Sequence, residues 1–239
     1  MKKEISIQVK DYNIELITNG AEEFDKIVLC FHGFNGDKWG DAYSGLKRRL
    51  ENTLVCSFDS CGHGKSVVLS ENMRLDLVLQ EIEAVISFLK SKCSNKQIIL
   101  VAVSYGAYRV MNYLIKYKPQ IEKVIYINPA FKMLNTLEIL KDFKYADLKA
   151  EDRVVMKRSL NKFISKDFLD DLYENNLYSK TFDIKCNTQI IVGTRDSLIP
   201  IADTLELAEK YNYKITYVDD EHCFENIESW NAVVDSIKE

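Results

Sequence analysis

No two cysteines in this chain are spaced C-x-x-C, so neither a zinc knuckle nor a dithiol redox pair is encoded. The six cysteines stand apart at 30, 56, 61, 93, 186 and 223. Three lie in or beside apolar runs, where a reduced thiol behaves as a small hydrophobe. No apolar run reaches the ~20 residues of a membrane-spanning helix. The start, Met1-Lys2-Lys3-Glu4-Ile5-Ser6, has lysines but no apolar core and no cleavage site, so no secretory signal is visible. Neither sign of charge dominates: 32 Lys and Arg face 36 Asp and Glu, a net charge of -4 that gives nucleic acid or an anionic membrane no hold. Repeats, low-complexity tracts, linkers and phosphate loops are missing. So is the G-x-G-x-x-G of a dinucleotide site, which His32-Gly33-Phe34-Asn35-Gly36 does not supply. What is left is a reduced, cytoplasmic protein whose 239 residues suit one large domain.

The chain is organised around Gln97-Ile98-Ile99-Leu100-Val101-Ala102-Val103-Ser104-Tyr105-Gly106-Ala107. A buried apolar run breaks into small-x-Ser-x-Gly, and a helical pattern starts at once with Tyr108, Met111, Leu114 and Ile115. That is the layout of a nucleophile elbow, in which a serine occupies a tight strand-to-helix turn with its hydroxyl exposed. A serine capping an ordinary helix would look the same in isolation, so the rest of the chain decides.

Glu4 to Val9 and Tyr12 to Thr18 alternate and predict a hairpin. Apolar runs at 26–31, 53–58, 97–103, 123–127, 188–192 and 213–218 predict strands covered on both faces. Between them, helices are expected through Tyr43, Leu46 and Leu50, over Met73 to Leu89, after Ser104, over Ala202 to Tyr211, and to Ile237 at the end. From 131 to 185 there is no glycine or proline, and apolar residues fall at helical spacing. Two or three linked helices are expected there, as an insertion between strands. Strands alternating with helices imply a mostly parallel α/β sheet, with reactive groups beyond the carboxyl ends of its strands.

A serine nucleophile needs a base, an acid that orients the base, and donors for the oxyanion. With three histidines the search is exhaustive. His32, followed by Gly33, and His63 in its Gly-His-Gly turn are read as braces of their loops. His222 follows the last strand and is the candidate base by the chain order of this architecture. Asp196, at the end of the strand before, is the candidate acid, while Asn128-Pro129 offers no carboxylate. Asp219, Asp220 and Glu221 are read as solvated charges. The backbone N–H groups of Phe34 and Tyr105 are the expected oxyanion donors. The three histidines lack ligand spacing, so no metal is expected, and no cofactor.

In order, His32-Gly33-Phe34, Asp59-x-x-Gly62-His63-Gly64-x-Ser66, Ala102-x-Ser104-x-Gly106, Gly193-x-x-Asp196-x-x-x-Pro200 and His222 resemble the α/β-hydrolase superfamily. His32 to Lys38, Glu71-Asn72-Met73, Asn128-Pro129-Ala130 and Glu221 to Phe224 are most similar to bacterial cinnamoyl/feruloyl esterases and related small carboxylesterases. The resemblance implies an α/β-hydrolase fold of about eight strands, with a core of 1–130 and 186–239 and a helical cap of 131–185 after strand six. It also implies hydrolysis of a small-molecule ester through an acyl-enzyme. Ala102, Val103 and Tyr105 depart from the usual elbow residues of those esterases. Phe143, Tyr145, Tyr173 and Tyr178 are read as cap core or pocket wall. Thioesterase, monoacylglycerol lipase, peptidase and carbon–carbon hydrolase share the same triad. A binding protein on this fold and a homodimer remain open.

Overall fold

The computed structural model describes residues 3–20, 22–157 and 160–239. Met1 and Lys2, part of the stretch read above for a signal, and residues 158 and 159 of the insertion lie outside them. Ten strands are found among the described residues: β1 (Lys3–Val9), β2 (Tyr12–Asn19), β3 (Lys26–Phe31), β4 (Thr53–Phe58), β5 (Gln97–Val103), β6 (Lys123–Ile127), β7 (Arg153–Lys157), β8 (Lys162–Ser165), β9 (Asn187–Gly193) and β10 (Lys214–Val218). Eight of them form one sheet in the order β1-β2-β4-β3-β5-β6-β9-β10. β2 pairs antiparallel with both of its neighbours, and β3 to β6, β9 and β10 run parallel. The carboxyl ends of the parallel strands therefore share one edge.

Seven α-helices accompany them among the described residues: α1 (Asp41–Leu46), α2 (Leu75–Lys92), α3 (Tyr105–Tyr117), α4 (Met133–Lys141), α5 (Lys166–Glu174), α6 (Ile201–Tyr211) and α7 (Ile227–Lys238). The stripe of α2 is the clearest case of pattern becoming packing. Leu75, Val78, Leu79, Ile82, Val85, Ile86 and Leu89 are each at most 3 % exposed. Burying one such side chain is worth roughly 1.5–3 kcal/mol, which outweighs the modest propensity of Val and Ile for helix. α2, α3 and α6 cover one sheet face, while α1 and α7 cover the other through Tyr43, Leu46, Trp230 and Val233. α1 stops four residues before Leu50, where the spacing predicts it to continue, because Arg49 N–H turns back onto Leu46 O in a tighter loop.

Residues 131–186 leave β6 and return as β9. Helices α4 and α5 are there, as the spacing predicts. Between them lies an antiparallel hairpin, β7 with β8, which helical spacing does not predict. The segment is mixed rather than all-helical. Val154, Met156 and Ile164 of the hairpin bury into the same apolar core as α2 and α3, together with Phe168, Leu169 and Leu172 of α5.

Candidate active site

Ser104 follows the last residue of β5 and precedes the first of α3, with φ 53° and ψ -117°. A positive φ is uncommon outside glycine, and holding such a residue costs of order 1–3 kcal/mol. Three backbone bonds hold it: Ser104 N–H donates to Ile127 O (3.0 Å), and Ser104 O accepts from Ala107 (2.9 Å) and Ala130 (3.2 Å). Gly106 lets α3 come this close, since a Cβ there would stand 2.7 Å from Phe31 O.

The Asp196 and His222 side chains meet. His222 Nδ1 lies 2.7 Å from Asp196 Oδ2. A carboxylate only accepts, so Nδ1 carries the hydrogen, and it is the neutral ring of this tautomer that presents its lone pair on Nε2. Asp196 Oδ1 accepts from the N–H groups of Leu198 (2.8 Å) and Ile199 (3.1 Å), which fixes the carboxylate before it meets the imidazole. The two side chains are 3 % and 14 % exposed, Asp196 the deeper. Among the described residues no hydrogen bond joins the Ser104 hydroxyl to His222. They share an edge through Asn128, whose Nδ2 donates to His222 O (2.9 Å) one residue beyond the Ile127 carbonyl that holds Ser104.

Gly33 lies directly against the serine: a Cβ on it would be 3.9 Å from Ser104 Oγ. The N–H groups of the two predicted oxyanion donors, Phe34 and Tyr105, donate to no other backbone group among the described residues. His32 is buried beside them. Its Nδ1 donates to Gly33 O (2.8 Å) and its Nε2 accepts from Ser60 N–H (3.2 Å), so both nitrogens are occupied in the neutral ring. Burial, helped by Arg109 and His63, holds its pKa well below 6.5. His63 donates from Nδ1 to Cys61 O (2.9 Å), and burial pushes its pKa down to about 3. Phe34 meets both His63 and Tyr105 edge-on.

Four residues around the site escape sequence reasoning. Arg109 is buried, donates to His32 O (2.5 Å) and covers the Tyr105 ring. Glu81 accepts from Tyr12 O–H, Ser60 O–H and Cys61 N–H. A signal for Glu81 exists: it falls on the α2 stripe, three residues after Val78 and four before Val85, where periodicity calls for an apolar side chain. Asn128 is the third. Asp220, read as a solvated charge, is the fourth and is a correction. It is 1 % exposed and gathers the N–H groups of Glu221, Glu225 and Asn226, folding the His222 loop around one carboxylate. Burial opposes its ionisation, but the donors of Asn226, Ser229, Glu221 and Glu225 prevail and hold its pKa below 3.8.

A model of the hydrolase family described as serine aminopeptidase, S33, matches residues 22–169, more than half of the chain. The chain belongs to that family. No curated protein matches it in sequence. Among solved structures, a putative hydrolase from Agrobacterium vitis S4 superposes with a TM-score of 0.77 at 18% identity, covering 100% of this chain and 97% of that one. Est1E from Butyrivibrio proteoclasticus, solved with ferulic acid bound, gives 0.79 at 17% identity, covering 98% and 100%. The Pyrococcus furiosus esterase Pf2001 gives 0.67 at 20% identity, covering 100% and 92%. Likeness at such identities carries the fold, and the fold is that of an α/β hydrolase.

Two of the cavities that the inserted segment of this S33-family hydrolase helps to line take in residues read above as loop brace or pocket wall. One of about 240 Å³ is lined by Tyr108, Phe131, Met133, Tyr145, Leu172 and Tyr173 among others. Tyr145 and Tyr173 stack across 5.0 Å in its wall, whereas Phe143 and Tyr178 pack elsewhere. The other, of about 190 Å³, lies between Asn35, His63 and Lys65 of the core and Met156 and Lys162 of the hairpin. No helix among the described residues is long and apolar enough to cross a membrane.

Proposed function

We propose that the chain is a serine hydrolase that cleaves carboxylic esters through an acyl-enzyme. Ser104 Oγ attacks the ester carbonyl carbon while His222 Nε2 takes its proton. Asp196 holds the ring in the required tautomer and faces the imidazolium that forms. The N–H groups of Phe34 and Tyr105 receive the oxyanion, a role in which one lost donor typically costs about 10²–10³ in turnover. His222 then gives its proton to the departing alcohol. A water molecule, deprotonated by the same ring, releases the acid and restores the serine. These are proton and acyl transfers, and the reading needs no cofactor.

One observation carries it: an imidazole bound to a carboxylate through Nδ1, on the same sheet edge as a serine in a strained elbow. The unformed Ser104–His222 bond fits a site whose hydrogen bonds tighten only with substrate bound. Residues 131–185 are read as the cap, with the Tyr145–Tyr173 cavity as an acyl pocket over a core of 1–130 and 186–239. The buried Cys30, Cys56 and Cys61 suit a reducing, cytoplasmic setting.

Hydrolysis of short p-nitrophenyl esters tests the reading. Ser104→Ala is expected to lower kcat by about 10³-fold or more and to abolish labelling by a fluorophosphonate. Equal rates for both proteins, well above buffer, would overturn it. The same panel, run with thioesters and feruloyl esters, sorts the acyl and leaving groups accepted.

A further inference from the structure

Asn128 directly follows β6, and its carboxamide is engaged at both ends. Oδ1 accepts from Gly193 N–H (2.7 Å), at the root of the Asp196 loop. Nδ2 donates to the carbonyls of Glu221 (3.0 Å) and His222 (2.9 Å). An amide offers two N–H donors, and both are spent on the main chain of the base loop. The residue is 1 % exposed, so water cannot substitute for these partners.

Its backbone is tied to the same places. Asn128 takes φ 42°, a left-handed conformation that asparagine tolerates better than most residues. Its N–H donates to Ile191 O (3.0 Å), while Ile127 and Ala130 on either side hold Ser104. The acid and base loops press together main chain to main chain. A Cβ on Gly193 would stand 2.5 Å from Asp220 O and 2.7 Å from Glu221 O. Asn128 is thus where the three loops carrying Ser104, Asp196 and His222 converge.

We propose that Asn128 is a positioning residue. Its carboxamide locks the main chain of His222 to the root of the Asp196 loop and to the strand end beside Ser104, and so sets where the imidazole stands over the serine. The proposal rests on the triad reading above. An isosteric carboxylate would keep the acceptor for Gly193 but turn an oxygen toward two carbonyl oxygens. Asn128→Asp therefore breaks the hold on residues 221 and 222 selectively. Asn128→Gly keeps the left-handed backbone and removes the whole side chain, and it serves if the buried charge prevents folding.

The experiment combines kinetics with ¹⁵N-histidine NMR on the full chain. Only three imidazoles exist, and buried, neutral His32 and His63 serve as internal references. The expected result is a changed Nδ1–H resonance for His222, with His32 and His63 unmoved. On p-nitrophenyl acetate, kcat should fall roughly 10–100-fold with KM within about 2-fold, the penalty of a displaced catalytic group. In an Asp196→Asn background the same substitutions should cost less than about 3-fold, because residues acting as a unit are not additive. An unmoved His222 signal in a folded variant overturns the proposal. So does disturbance of all three imidazoles together, or a loss that multiplies in full on the Asp196→Asn background. The imidazole readout needs no ester hydrolysis, so it decides the point even if Ser104 proves not to be the nucleophile.

Discussion

Glu81 accepts three hydrogen bonds at 0 % exposure, two of them from the loop that braces His32. Burial outweighs those donors and raises its pKa from 4.5 to about 7. A carboxyl whose folded pKa is raised contributes stability that is fully present below 4.5 and lost as pH rises through 7. The size is on the order of 3 kcal/mol at 1.36 kcal/mol per unit. Urea midpoints at pH 5, 6, 7 and 8 should therefore fall more steeply for the wild type than for Glu81→Gln; parallel slopes would contradict this. The residue scale is also where sequence reading stops short. The turn at Ser104 and the meeting of Asp196 with His222 are legible because each of these side chains follows a run of strand residues. Asn128 and Asp220 are not, since an amide or a carboxylate at a strand end has no meaning until its partners are known. For Asn128 those partners stand 65 and 94 positions away.

At the scale of elements, the parallel strands are legible as continuous apolar runs, and α2 because its helical periodicity persists along the helix with Glu81 as its one polar interruption. The β7–β8 hairpin is not. Its strands are five and four residues long, too short for alternation to stand out from the helical spacing around them. Its burial is set by the neighbours it meets: Phe163 N–H donates to Ser70 Oγ (3.1 Å), and Lys162 reaches Gly62 O (3.2 Å). For α2, replacing the fully buried Ile82 by Ala should cost about 2–5 kcal/mol, read as a lower urea midpoint. A loss below about 0.5 kcal/mol, the range of surface substitutions, would mean that the stripe does not hold the helix to the sheet.

For the whole molecule, the question is how firmly the inserted segment is fastened. The first amide of α2, on Leu75, donates to Asp171 Oδ2 of α5 (2.8 Å), so one helix caps the other. Arg74 adds bonds to Ser165 (3.1 Å) and Asp167. Asp171→Ala should cost about 1–2 kcal/mol, the usual range for a lost cap, and should speed amide exchange at 75–78 and in α5. Unchanged exchange at both places would show that the fastening lies in the apolar contacts alone.

With only nine glycines in the chain, most left-handed bends fall to other residues. Nine non-glycine residues among those described take them, and five are asparagine: 35, 52, 128, 161 and 212. Asparagine turns the chain as glycine does, but it brings a primary amide to the corner. At Asn35 that amide reaches Met156 O across the cleft (3.3 Å), and at Asn128 it reaches two other loops. Rewriting these corners with glycine would keep the path of the main chain and sever the cross-links, so here the corners themselves act as fasteners.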